Sequence, residues 1–277
     1  MATVTVPRGT SDLGPLTIND TDILQFMDGE SNITAGNDLS TFDDAGTGGL
    51  TGLYFGNAAT PIIENAYALK VDVDQSPGIV HVASNSGKLS LHPGGSSGVF
   101  TRYRHVGAIQ STIMTGGTVT TFEQSLGSVL VTGGVTVTTA YCIGGMTMFR
   151  YKSSGITTLQ VSGGTVSLLR SATTIVLIAG TLTVYPENTG TNVPVATTVS
   201  VYGGTLIWRG GDITTLNAFG PNAVVDFSGI TQDITVSTIN ADKHAKRNPK
   251  CKWNGSRYTV TYTTKAPRGD DNDAFPE

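Results

Sequence analysis

Two carboxylates, Glu187 and Asp212, come nearest in type and placement to catalysis in this chain. Glycoside-cleaving enzymes set a pair of Asp or Glu residues on either side of the scissile bond, one as acid and one as nucleophile or base. Between residues 107 and 240 the acids are Glu123, Glu187, Asp212, Asp226 and Asp233. Only Glu187 and Asp212 take nearly matching places in successive repeats of the pattern described below. Both lie in irregular connections, where a site or a solvated loop is equally at home. No ladder of acids runs up one face, so an enzyme is not expected. His81, His92, His105 and His244 are scattered, without a metal-ligand partner at short spacing. Of the two cysteines, Cys142 reads as a buried thiol and Cys251 is far from it in sequence. No cofactor and no metal site are expected.

The cationic side chains suggest contact rather than catalysis. Arg102-Tyr103-Arg104-His105 is a compact cluster that would clamp an acidic partner, or else the wet face of an alternating strand. Eight of the 17 Lys and Arg residues fall between Lys243 and Arg268. Within that segment Lys243, Lys246, Arg247, Lys250 and Lys252 are candidates for contact with an acidic surface, the alternative being plain solubilisation. A net charge of −4 argues against general nucleic-acid binding. The longest apolar stretch, 175–179, is far too short to span a bilayer. Met1 to Pro7 has neither the basic start nor the apolar run of an export signal, which together with two unpaired cysteines predicts synthesis in a reducing cytoplasm.

These residues must be positioned by β-structure. Glycine supplies 35 of 277 residues and charged residues only 14%, a composition of short strands and frequent turns. One phrase recurs between Gly116 and Pro221: Thr-Thr, an apolar-x-apolar strand, a Gly-Gly corner and a second strand. Its clearest copies run from Thr157 to Leu168, Thr173 to Val184 and Thr197 to Trp208. Taking Gly116, Gly133, Gly144, Gly163, Ala179, Gly203 and Gly220 as corners, the spacings are 17, 11, 19, 16, 24 and 17 residues. A period near 17 suits one coil of a β-helix. The 11-residue step is a defect in this phasing, to be read as a half-coil or hairpin at Gly133. Apolar residues sit four and two positions before each corner and three and five after it. That change of parity requires a bend or bulge which turns the inward face. The threonine pairs read as turn residues ahead of each strand, their hydroxyls satisfying local backbone groups.

The expected fold is therefore all-β: a single-stranded parallel β-helix, or solenoid, of about seven coils. Residues 1–106 lack the repeat and carry 11 of the 21 carboxylates, and are read as an extended, irregular β-rich arm and cap. Residues 107–240 form the parallel β-helix. Residues 241–277 form a basic hairpin turning at Asn254-Gly255, with an acidic tail.

The Gly-Gly-Thr-Val and Gly-Gly-Thr-Leu coils, the non-repetitive N-terminal region and the absent signal resemble bacteriophage virion β-helix proteins. These include tailspikes, fibres and the decoration or cement proteins of the capsid lattice. The resemblance covers roughly residues 107 to 240. It implies a non-enzymatic structural protein on the capsid exterior, acting as a homotrimer on the major capsid protein, with no nucleic-acid or membrane partner. The alternative is an appendage that binds or cleaves a host surface glycan. Tailspikes are generally longer and carry an acidic sugar-cleaving groove, so the resemblance favours decoration.

Overall fold

The computed structural model describes residues 3–6, 23–26, 52–55, 68–73, 78–83, 88–93, 99–108, 110–113, 117–152, 154–186, 193–227, 229–230, 233–241, 246–247, 254–255 and 258–262. The fold is an all-β solenoid of about seven turns of stacked parallel strands, as the repeat predicts, with no helix among the described residues. It divides into two compact units. One is Met1–Thr139 with Gly145–Thr147, and the other is Ala140–Gly144 with Met148–Glu277. The division passes through strands β11 (Thr136–Cys142) and β12 (Met146–Phe149).

In the first unit one sheet has the order β1 (Thr3–Val6), β2 (Ile23–Phe26), β3 (Gly52–Phe55), β5 (Ile79–Val82), β7 (Val99–His105) and β9 (Thr118–Gln124). The second has β4 (Ala68–Val73), β6 (Lys88–Pro93), β8 (Gln110–Ile113) and β10 (Ser128–Val131). From β3 onward successive strands alternate between the sheets, and each pairs in parallel with the strand two places on. Residues before 107 thus already carry coil-like ladders: Val80 pairs with Tyr103 and Leu89 with Ser111, although no Gly-Gly-Thr phrase announces them.

The second unit repeats the arrangement more regularly. Strands β13 (Ile156–Val161), β15 (Ala172–Leu177), β17 (Ala196–Val201), β19 (Ile213–Ala218), β21 (Ile234–Ala241) and β24 (Tyr258–Tyr262) make one sheet. Strands β14 (Thr165–Leu168), β16 (Thr181–Val184), β18 (Gly204–Trp208), β20 (Ala223–Asp226) and β22 (Lys246–Arg247) make the other. The parity argument holds. Leu159, Val161, Val166, Leu168, Ile175, Leu177, Leu182, Val184, Val199, Val201, Leu206 and Trp208 all point inward and are buried. Each removes roughly 1.5–3 kcal/mol worth of apolar surface from water. The Trp208 indole N–H donates to the Gly211 carbonyl at 2.8 Å, so the largest core side chain brings no unsatisfied polar atom.

Two details differ from the sequence reading. First, the corners were phased wrongly at the start. Gly127, Gly145, Gly164, Gly180, Gly204 and Gly220, all at positive φ, follow the strands of the first sheet. Gly117, also at positive φ, and Gly133-Gly134 instead lie at the return from the second sheet to the first, between β8 and β9 and between β10 and β11. The 11-residue step was a jump from one kind of corner to the other. Counted by these six glycines, the steps are 18, 19, 16, 24 and 16. Stacking forces glycine here: a Cβ on Gly180 would lie 2.5 Å from the Gly164 carbonyl oxygen, and one on Gly204 2.5 Å from that of Gly180.

Second, the threonine pairs are in the strands, not in turns. Thr158, Thr174, Thr198, Thr215 and Thr238 stand opposite one another across β13, β15, β17, β19 and β21. Each is preceded by a second outward residue, because alternation breaks once per strand. The coil lengths are uneven, 24 residues from Ala172 to Ala196 and 23 from Ile213 to Val236, yet the register survives. At the C-terminal end β24 pairs in parallel with β21 and antiparallel with β23 (Asn254–Gly255). The hairpin is present, but Asn254 and Gly255 are paired with Thr259 and Tyr258 rather than forming its turn.

Candidate functional site

Strand β7 positions the arginine cluster. Phe100, Tyr103 and His105 turn inward and are fully buried, which leaves Arg102 and Arg104 on the outer face at 47% and 51% side-chain exposure. The next strand answers them with one carboxylate. Arg102 Nη2 donates to Glu123 Oε1 at 2.7 Å and Oε2 at 2.8 Å. Arg104 Nε lies 3.9 Å from Glu123, within ion-pair range but beyond hydrogen-bond length. Two guanidiniums thus share one partly covered carboxylate.

Across the other edge of β7, register places His81 opposite Arg104 and Tyr54 opposite His81. The Tyr54 and His81 rings are 5.5 Å apart, inclined by 33°. Burial lowers the His81 pKa from its ordinary value, and the Coulombic effect of Arg104 and then Arg102 lowers it further. The outer column therefore reads Tyr54, His81, Arg104, Glu123. Sequence reasoning found Arg102 and Arg104 but missed Tyr54, His81 and Glu123 as their neighbours. The steps of 27, 23 and 19 residues between them carry no visible repeat.

Beneath this face lies a closed polar cluster. Tyr103 Oη is 2.6 Å from Ser111 Oγ and 3.0 Å from His105 Nδ1, and Ser111 Oγ is 3.1 Å from the same nitrogen. All three residues are at most 1% exposed. Burial pushes the Tyr103 phenol up, partly opposed by its Ser111 hydrogen bond. A Ser-His pair with no solvent access cannot meet a substrate, and these contacts serve to satisfy polar atoms in the core. One coil on, Gln124 takes the inward place opposite His105. Its amide donates to the carbonyls of Leu126, Gly127 and Met146 at 3.2, 3.1 and 2.9 Å, and Thr147 Oγ1 donates to its oxygen.

In the second unit two described acids, Asp212 and Asp226, are held by neighbouring coils. Asp212 accepts the Thr235 backbone N–H at 2.7 Å. Asp226 is buried against Arg209, whose Nη1 donates to the Asp226 carbonyl at 2.9 Å and whose Nη2 lies 3.3 Å from its carboxylate. Glu187 lies outside the described residues, so the proposed pairing with Asp212 gains no support. Arg170 is buried beside Phe149, with Nε donating to the Arg150 carbonyl at 2.7 Å. Burial lowers its pKa to about 10. Cys142 is buried as expected, and Cys251 lies outside the described residues. No cluster of metal-ligating side chains occurs among the described residues.

Of the basic C-terminal candidates, Lys243, Lys250 and Lys252 lie outside the described residues, and Lys246 and Arg247 form β22, opposite Val224 and Val225 of β20. A further feature of the second unit was not anticipated. Ile143, Ile178 and Tyr202 are 55%, 45% and 53% exposed, each directly ahead of a glycine corner, with the Phe219 ring 6.1 Å from that of Tyr202. The position just before the corner residue carried this signal, but the Gly-Gly spacing alone does not single it out. Comparison of the chain with protein-family models, curated proteins and solved structures gives no match.

Proposed function

We propose that this chain is a non-enzymatic structural protein of a phage particle, decorating or cementing the capsid lattice as a homotrimer. The observation that supports the non-enzymatic part is the engagement of three of the repeat's five acids: Glu123 by Arg102, Asp226 by Arg209, Asp212 by the Thr235 N–H. A hydrolytic pair needs carboxylates that face a substrate, and these three are committed to holding coils together. The virion assignment rests on the resemblance of the Gly-Gly-Thr coils to phage β-helix proteins and on the solenoid fold that those coils adopt.

Attachment to a shell works through wide, symmetric contact in which weak unit interactions add by multivalency. The major capsid protein is the partner, and the capsid exterior the location. The exposed Ile143, Ile178 and Tyr202 supply apolar contact area, and Lys246, Arg247 and Lys250 supply charge for an acidic shell surface. Reversing the charge at Lys246, Arg247 and Lys250 together should lower occupancy on purified particles while the protein stays folded by circular dichroism. Unchanged occupancy would remove the basic segment from the contact.

A further inference from the structure

We propose that the outward threonine face of β13, β15, β17, β19 and β21 binds ice, holding a layer of water at the spacing of the crystal. This goes beyond a role on the shell and is tested on the chain by itself, so either reading can fail without the other.

The face is built by one local device. In each of β13, β15, β17 and β19 alternation breaks at a Thr-Thr pair, with a buried residue directly before it and another directly after it. Two adjacent threonines thus share the outer side of the strand where one would be expected. Thr157, Thr173, Thr197 and Thr214 are exposed, and their partners in each pair are half-buried. Pairing of Ile156 with Ala172 and of Thr158 with Thr174 aligns the half-buried column directly and fixes the exposed column beside it. The same register runs on to β21, where Ser237 and Thr238 continue both columns. Steps of 16, 24, 17 and 23 residues join these rows, so every change of coil length falls outside the array. Strand propensity accounts for single outward threonines, not for doubled ones kept in step across unequal coils. None of the five strands contains a charged residue.

The spacing suits ordered water. Stacked strands stand about 4.8 Å apart, and the hydroxyls of each column recur at that interval. Water hydrogen-bonded tetrahedrally at about 2.75 Å puts next-nearest oxygens about 4.5 Å apart, the basic repeat of ice. The mismatch of about 0.3 Å a row reaches about 1.2 Å along the whole array, under half of one hydrogen-bond length. Threonine brings a hydroxyl that bonds the ordered layer and a methyl group beside it. Its β-branched side chain has few rotamers, so little freedom is lost on binding. Other occupants fit less well. An ionic ligand finds no opposite charge on this face. Burying rows of hydroxyls against a second copy would take them out of water, and threonine offers little apolar area to offset that.

The test is the freezing behaviour of the full chain in a nanolitre osmometer, against serum albumin at equal concentration. The inference predicts a gap between melting and freezing points, and enrichment of fluorescently labelled protein in slowly grown ice. Thr173→Lys and Thr197→Lys, at exposed positions of the face, should each remove most of the gap. Thr165→Lys, exposed on β14 in the other sheet, should leave it unchanged. Unchanged unfolding temperatures and circular dichroism would show that all three variants are folded. The idea is overturned if the gap does not exceed that of albumin, if it survives both substitutions on the face, or if Thr165→Lys removes it equally. It is also overturned if light scattering shows self-association that Thr197→Lys dissolves, which would make the face an interface between copies.

Discussion

At the residue scale, His81 is the most informative titrating group. Its folded-state pKa lies below 6.5 because burial and two guanidiniums oppose its charge. The unfolded chain takes up this proton near 6.5, whereas the folded chain resists it. The stability tied to neutral His81 is therefore fully present above pH 6.5 and is lost as pH falls through the folded-state value. An NMR titration should give a His81 midpoint below 6.5, and Arg104→Gln should move it upward. A midpoint unmoved by that substitution would mean that Arg104 does not act on the ring. Asp212 has a different role, as acceptor for Thr235 N–H. Asp212→Ala should cost about 1 kcal/mol in urea unfolding, and Asp212→Asn less, because its amide oxygen still accepts. Equal losses would show that the charge, not the hydrogen bond, carries the effect.

At the scale of the element, the corner and the strand make separable demands. Gly180 sits at φ 84° against the Gly164 carbonyl of the preceding coil. Gly180→Ala should destabilise by about 2 kcal/mol or more, from backbone conformation alone before any clash is counted. Two adjacent residues give a sharper contrast: Leu177 is fully buried and Ile178 is 45% exposed. Leu177→Ala should cost about 3 kcal/mol and Ile178→Ala less than about 0.5 kcal/mol, measured by denaturant midpoint. Comparable costs at both positions would refute the inward and outward assignment. The coils of the second unit were legible in sequence because their inward places are filled by Leu, Ile, Val and Trp around repeated glycines. The ladders of the first unit were not, because inward places there hold Tyr103, His105, Ser111 and Gln124, which read as polar surface until their mutual hydrogen bonds are seen. The corner phase failed for a related reason. A Gly-Gly pair marks either side of a coil, and the lone Gly127 that completes the series has no partner to advertise it. The outer column of Tyr54, His81, Arg104 and Glu123 was invisible for want of a period, although each member stood in plain sequence.

At the scale of the whole molecule, the chain combines a low content of charge, three acids engaged by neighbouring coils and an outward column of threonine, features compatible with the repeated surface contact we propose. Such contact gains from symmetry, since one copy per lattice position multiplies a weak interface. The number of copies is therefore the quantity that follows most directly from a decorating role. Quantitative mass spectrometry of purified particles, referenced to the major capsid protein, should give one copy per capsid subunit or a simple fraction of that ratio. A handful of copies per particle would identify a tail or vertex appendage instead, and absence from the particle would contradict the structural assignment altogether.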